Sequence, residues 1–219
     1  MRKLVLNTFL TLDGVMQAPG GPEEDPTGGF EHGGWSANYW DDGMFQRMGE
    51  AMSNPFDLLL GRKTYEIFAA HWPYVTDDPF AEKLTSATKY VASRTLDKLE
   101  WQNSSLIDGD VAEQVARLKE QAGPEIQVHG SSNLIQTLLQ RELVDEYRLW
   151  FFPVVLGGGK RLFADGAIPA GLKLVDSTTS TTGVLITTYE QAGKPEHGSF
   201  ALEEPTAAEL ERRQRLAAD

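Results

Sequence analysis

A chain of 219 residues is long enough for one well-packed core and short for two, and with 41% hydrophobic and 24% charged residues its composition is globular rather than disordered. It has no cysteine, which excludes disulfides, thiolate nucleophiles and sulfur-ligated metals together. A formal net charge of −12 disfavours nucleic acid as a partner, so an anionic ligand must be met by local basic clusters, which occur at Arg62-Lys63, Arg94 and Lys160-Arg161.

No run approaches the roughly 20 apolar residues of a membrane span, and Met1-Arg2-Lys3 leads into a strand pattern rather than a signal-peptide core. The expectation is a cytoplasmic protein with no membrane partner. Lys3 to Leu12 (KLVLNTFLTL) alternates apolar with polar or small residues and predicts a strand. Asp13 to Ser36 is crowded with Gly, Pro and acids, and a connection of that length predicts a lid or mobile loop over a site. Asn38 to Met52 sets Tyr39, Trp40, Met44, Phe45 and Met48 on one helical stripe, so a helix is expected next. Pro55 to Leu60 predicts a short strand ending at Gly61, and Lys63 to Ala70 a helix.

The same grammar recurs. Thr88 to Ala92 predicts a strand before Ser93-Arg94, and Glu125 to His129 one before Gly130-Ser131-Ser132 and a helix over Asn133 to Arg141. Between them Val111 to Gln121 reads as a helix with Asp110 as its N-cap. Strands alternating with helices imply a largely parallel sheet covered on both faces. After residue 143 the pattern changes to strands alone, over Asp145 to Val155, Leu172 to Thr179 and Val184 to Glu190, with Ser180 to Gly183 closing a hairpin. One domain is expected over residues 1–192. Residues 193–219 form a charged tail in which Ala207 to Leu216 predicts a helix.

Four short motifs point further. Leu60-Gly61-Arg62-Lys63-Thr64-Tyr65-Glu66 resembles the G-R-x-T-x-E turn of the dihydrofolate reductase superfamily. Thr11-Leu12-Asp13-Gly14 resembles the S-L-D-G signature of that superfamily's RibD carboxy-terminal branch, the pyrimidine reductase domain of riboflavin biosynthesis. Val128-His129-Gly130-Ser131-Ser132 is similar to the superfamily's V-x-G-G-x turn, with Ser131 where a second glycine is common. Pro153 to Gly159 with Leu162-Phe163 resembles the branch's P-x-x-x-G-G-G segment. The resemblance spans residue 3 to about 190, apart from the long loop. It implies a three-layer αβα dihydrofolate reductase-like α/β fold, its sheet mixed but mainly parallel with an antiparallel carboxy-terminal hairpin.

The resemblance also implies NADPH. Gly61, Arg62, Lys63 and Thr64 would meet a phosphate at a helix start, where free N–H groups and the dipole favour anions. Ser93 and Arg94 would take the adenosine 2′-phosphate, which an Arg fork suits. Gly130, Ser131, Ser132, Asn133 and Leu134 would hold the pyrophosphate, and Leu12, Gly157, Gly158 and Gly159 would add cofactor contacts. No metal is implied. The activity implied is hydride transfer to a small pyrimidine- or pterin-type heterocycle; the alternative is a non-catalytic NADPH-binding or sensing module.

For the chemistry, Asp41 and Asp42 lie near the acid that holds the pterin in the folate branch, although an acidic pair equally serves a helix dipole. Asp13 is a second candidate, equally explained by an Asp-Gly turn. Trp40, with Trp35 and Tyr39, offers an aromatic wall for a flat ring or part of the core. His129 reads as a packed strand residue. The carboxy-terminal strands leave an edge that needs cover, so a homodimer is expected.

Overall fold

The computed structural model describes residues 1–218. In chain order the elements are β1 (Leu4–Thr11), α1 (Asp42–Ala51), β2 (Phe56–Gly61), α2 (Arg62–His71), α3 (Pro79–Ser86) and β3 (Lys89–Ala92). There follow β4 (Ser104–Leu106), α4 (Val111–Glu120), β5 (Glu125–His129), α5 (Ser132–Gln140), β6 (Glu146–Phe152), β7 (Leu172–Thr179), β8 (Leu185–Gln191) and α6 (Ala207–Leu216). The helix expected from Asn38 begins four residues later. Asp41 accepts a hydrogen bond from the Met44 N–H and caps α1, which leaves Tyr39 in a single 3₁₀ turn and Trp40 extended before the cap. Helix α3 and strand β4 are additions to the predicted set.

All eight strands form one sheet in the order β4-β3-β2-β5-β1-β6-β8-β7. Strands β1 to β6 run parallel, β8 is antiparallel to β6, and β7 closes a hairpin on β8. The period-two alternation of a strand divides the core between the two faces. Leu4, Leu6 and Leu10 of β1, with Ile126 and Val128 of β5, bury against Val115 of α4 and Ile135 and Leu138 of α5. On the opposite face Phe56, Leu58 and Leu60 of β2 meet Tyr65 of α2 and Leu84 of α3, while Trp150, Phe152 and Ile186 meet Met44 of α1. Each fully buried side chain of this size stabilises the fold by roughly 1.5–3 kcal/mol, so both helical layers are held by apolar contact.

This arrangement positions the site. Strands β2 and β5 are neighbours, yet the chain leaves β2 toward β3 through α2 on one face and leaves β5 toward β6 through α5 on the other. Adjacent strands whose connections diverge open a crevice at their carboxyl ends, where open α/β sheets bind ligands. Because β1, β2, β3, β5 and β6 are parallel, the turns after all five, which carry the motifs, share one rim of the sheet. Beyond Gln191 the chain is irregular up to Thr206, which caps the exposed α6.

Candidate active site

Four helices, α1, α3, α4 and α6, have their first N–H groups capped by the side chains of Asp41, Asp78, Asp110 and Thr206. Helices α2 and α5 have no side-chain cap. Their first turns are tied together instead: the Gly61 N–H donates to Ser131 Oγ at 2.9 Å and the Ser131 N–H to Thr64 Oγ1 at 2.9 Å. The Ser131 hydroxyl in turn donates to the His129 carbonyl at 2.9 Å. Left-handed backbone at Gly130 (φ +51°) and Ser131 (φ +61°) makes the turn, and a Cβ on Gly130 would stand 3.0 Å from Thr64 Oγ1. Two positive helix ends therefore lie side by side with open N–H groups, an arrangement that attracts phosphate. They border a cleft of about 1650 Å³. Pockets for a single drug-sized ligand measure roughly 300–1,000 Å³, so the space admits a dinucleotide together with a second ring.

Most residues implied to hold the cofactor line this cleft: Gly61, Arg62, Lys63, Thr64, Ser93, Arg94, Gly130, Ser131, Ser132, Asn133 and Leu134. Arg62 reaches the turn after β3 through Thr95 Oγ1 at 3.0 Å, so it stands next to the exposed Arg94. The Ser93 hydroxyl accepts from the Thr95 and Leu96 N–H groups and shapes that turn. Ser131, in place of the second glycine, has its hydroxyl engaged within the corner.

The remaining implied residues lie elsewhere. Leu12 is 65% exposed on the turn after β1, and both it and Gly157 are outside the lining of the cleft. Gly158 and Gly159 line a smaller cavity of about 430 Å³ under residues 27–32. Gly159 has φ +125°, and a Cβ there would come within 2.7 Å of Val15, so its role is close packing. The three catalytic candidates, Asp13, Asp41 and Trp40, are also outside the cleft. Asp13 accepts from Thr11 Oγ1 at 2.6 Å and from the Leu156 and Gly157 N–H groups, and these bonds, that from Thr11 first, hold its carboxyl down at about 2. It pins the β1 turn to the segment after β6. Asp41 caps α1 and accepts from the Thr181 hydroxyl at 2.6 Å, the chief cause of its lowered pKa. Trp40 packs among Phe9, Phe45 and Trp150 at centroid distances of 5.5, 5.0 and 5.5 Å, as core.

Neither the floor nor the fastening of the long loop was foreseen from the sequence. The floor is a polar patch on the α1/α2 face containing Asn7, Gln127, His129 and Arg148. Arg148 forks onto Glu125 at 2.8 and 3.0 Å and also donates to Glu146 at 2.7 Å. His129 bonds Gln127 Oε1 at 2.9 Å, and burial, then the Arg148 charge, push its pKa down to about 4, so at neutral pH it is uncharged. Polar residues at inward positions of β1, β5 and β6 were the available signal.

The lid is the long loop. Gln17 donates to the Asp25 and Thr27 carbonyls at 2.8 and 2.9 Å, and Asp25 pairs with Lys160 and, at 3.8 Å, with Lys63. Glu24, which also lines the cleft, accepts from the Gly20 N–H at 2.6 Å and has its pKa raised by burial. Among the described residues no three acidic or histidine side chains are grouped to hold a metal ion, and no helix is long and apolar enough to cross a membrane.

Fold and cleft are those of a reductase-like α/β protein, and comparison with known proteins gives the family. The model of the RibD C-terminal domain matches residues 2–186, and the chain belongs to that family. It is 31% identical over 201 residues to YyaP of Bacillus subtilis (strain 168), an uncharacterized protein, covering 88% of this chain and 96% of that one. Among solved structures it resembles a diaminohydroxyphosphoribosylaminopyrimidine deaminase/5-amino-6-(5-phosphoribosylamino)uracil reductase from Thermotoga maritima, with a TM-score of 0.56 and 15% identity over 87% of this chain and 57% of that one. It also resembles dihydrofolate reductase from Enterococcus faecalis complexed with NADP(H), with a TM-score of 0.53 and 16% identity over 86% of this chain and 96% of that one. At these identities the structures share the fold.

Proposed function

We propose that this protein is an NADPH-dependent reductase acting on a small heterocycle of pyrimidine or pterin type. The observation that carries the reading is the pair of uncapped helix starts, α2 and α5, joined at the switch point of the sheet and facing one large cleft. Their open N–H groups, from Arg62 to Thr64 and from Ser132 to Leu134, suit a pyrophosphate, and Gly130, where a Cβ would press on Thr64, lets the two turns approach. Arg94, with Arg62 beside it, suits the 2′-phosphate that distinguishes NADPH from NADH. The solved dihydrofolate reductase of the same fold binds NADP(H), and the solved uracil reductase names the pyrimidine class.

Bound NADPH would supply the hydride; the chain's part is to align the two rings, exclude water and deliver a proton. The floor and the walls from α1 and α2 receive the substrate, and the lid held by Asp25 shuts water out. Glu24 on that lid lines the cleft and is our candidate for delivering that proton. The polar floor offers no comparable donor, because His129 is neutral at working pH.

The test is NADPH binding, followed by intrinsic fluorescence, together with its oxidation at 340 nm in the presence of pterin and pyrimidine substrates. Binding and turnover are expected. Binding without turnover on any of them would favour the sensing module, and no binding would remove both readings. Arg94→Ala is expected to weaken NADPH by about tenfold and NADH hardly at all; equal losses would remove the 2′-phosphate role. A homodimer belongs to the same reading, since the outer strand β7 is exposed along its length and carries Leu174 and Val175 half exposed. Sedimentation at a mass of one chain would contradict it.

A further inference from the structure

Strand register sets three polar side chains in one row across the floor, because Asn7 of β1 pairs with His129 of β5 on one side and Arg148 of β6 on the other. The outer two are committed within the protein. His129 is bonded to Gln127, and the Arg148 charge is matched by two carboxylates, Glu125 and Glu146. Asn7 is different: its Nδ2 is buried and has no hydrogen-bond partner. A buried amide donor without a partner is costly, and natural cores rarely keep one without a use. The residue lines the cleft, and the terminal torsion of an amide is broad, so rotation about it can present the donor to a ligand.

The next row toward the rim is Phe9 beside Trp150, with ring centroids 5.5 Å apart, an apolar platform for a flat ring. Free positive charge is missing here. The other cations lining the cleft are Arg62, Lys63, Arg94 and Lys160; the first three stand at the rim turns after β2 and β3, while Lys160, like Lys63, faces Asp25. A phosphate on the floor would find only Arg148 to meet it, whose charge is already matched by Glu125 and Glu146, and that is electrostatically poor.

We propose that Asn7 reads the substrate, its amide donating to a carbonyl oxygen or ring nitrogen of a flat, uncharged heterocycle that carries no phosphate. The inference rests on the reductase reading and narrows its substrate class. Its test uses the full chain saturated with NADP⁺ at pH 7, into which pterin, uracil and uridine 5′-phosphate are titrated by calorimetry. At least one neutral ring is expected to bind, and the phosphate ester about tenfold more weakly or not at all. Asn7→Leu and the isosteric Asn7→Asp are expected to weaken the neutral ring about tenfold while leaving NADPH affinity unchanged. Asn7→Leu is also expected to melt at or above the wild-type temperature, because it removes an unpaired donor rather than a bonded one.

Failure of both neutral rings to bind, binding of uridine 5′-phosphate as tight as theirs, or ring binding indifferent to both substitutions would overturn the proposal. So would a melting temperature of Asn7→Leu several degrees lower, which would mark the side chain as structural. Loss of NADPH binding by the wild-type chain is a separate result: it overturns the reductase reading itself, and this inference with it.

Discussion

At the scale of single residues, Asp13 shows how one side chain can look catalytic and act as a clasp. An Asp-Gly pair at the end of a strand has the same local sequence in either role, and the bonds that decide it reach Leu156 and Gly157, 143 and 144 residues away. Spacing along the chain cannot reveal them. The lowered carboxyl of Asp13 means that the folded state holds this group ionised more readily than the unfolded chain does. Its contribution is therefore complete above about pH 4 and is lost as the pH falls toward 2. Asp13→Asn is expected to destabilise the fold by roughly 1–2 kcal/mol and to flatten that acid limb in urea melts. NADPH affinity should be unchanged, and a loss of affinity would return Asp13 to the site. The rim residues were more legible, because Gly61, Thr64 and Gly130 serve local needs: a helix start, a hydroxyl beside it and a left-handed turn.

Among the elements, those with strong periodicity were readable to within a residue or two. Strands β5 and β7 and helix α6 occupy the predicted spans, and α4 starts at its predicted cap, Asp110. Strand β4 was invisible because its three residues exist only by pairing with β3. The start of α1 was misjudged because aromatic residues run on before the cap, and Asp41, taken for chemistry, is that cap. The long loop's place over the cleft was expected from its length and composition, while its fastening was not: Asp25 holds Lys160 and Lys63, which are nearly a hundred residues apart in the chain. Asp25→Ala is expected to speed amide hydrogen exchange across residues 19–29, the more exposed part of the lid, without changing exchange in β1 or β5, because this acid ties that part to Lys160 and Lys63. Unchanged exchange in the lid would show that the fastening lies elsewhere.

For the whole molecule, the decisive feature is which strands are neighbours. Nothing local to β2 or β5 says that they pair; their register, Leu58 with Gln127 and Leu59 with Val128, joins segments about seventy residues apart. The family resemblance implied a mainly parallel sheet with an antiparallel hairpin, and the order of its strands comes from the structure. Once it exists, a chain of net charge −12 can still present two positive helix ends and several cations to a single cleft. The most direct test is a crystal structure of the chain soaked with NADPH. The pyrophosphate is expected between the first turns of α2 and α5, with the 2′-phosphate against Arg94. A nucleotide seated in the smaller cavity beneath residues 27–32, or one that leaves the α2 and α5 starts untouched, would contradict it.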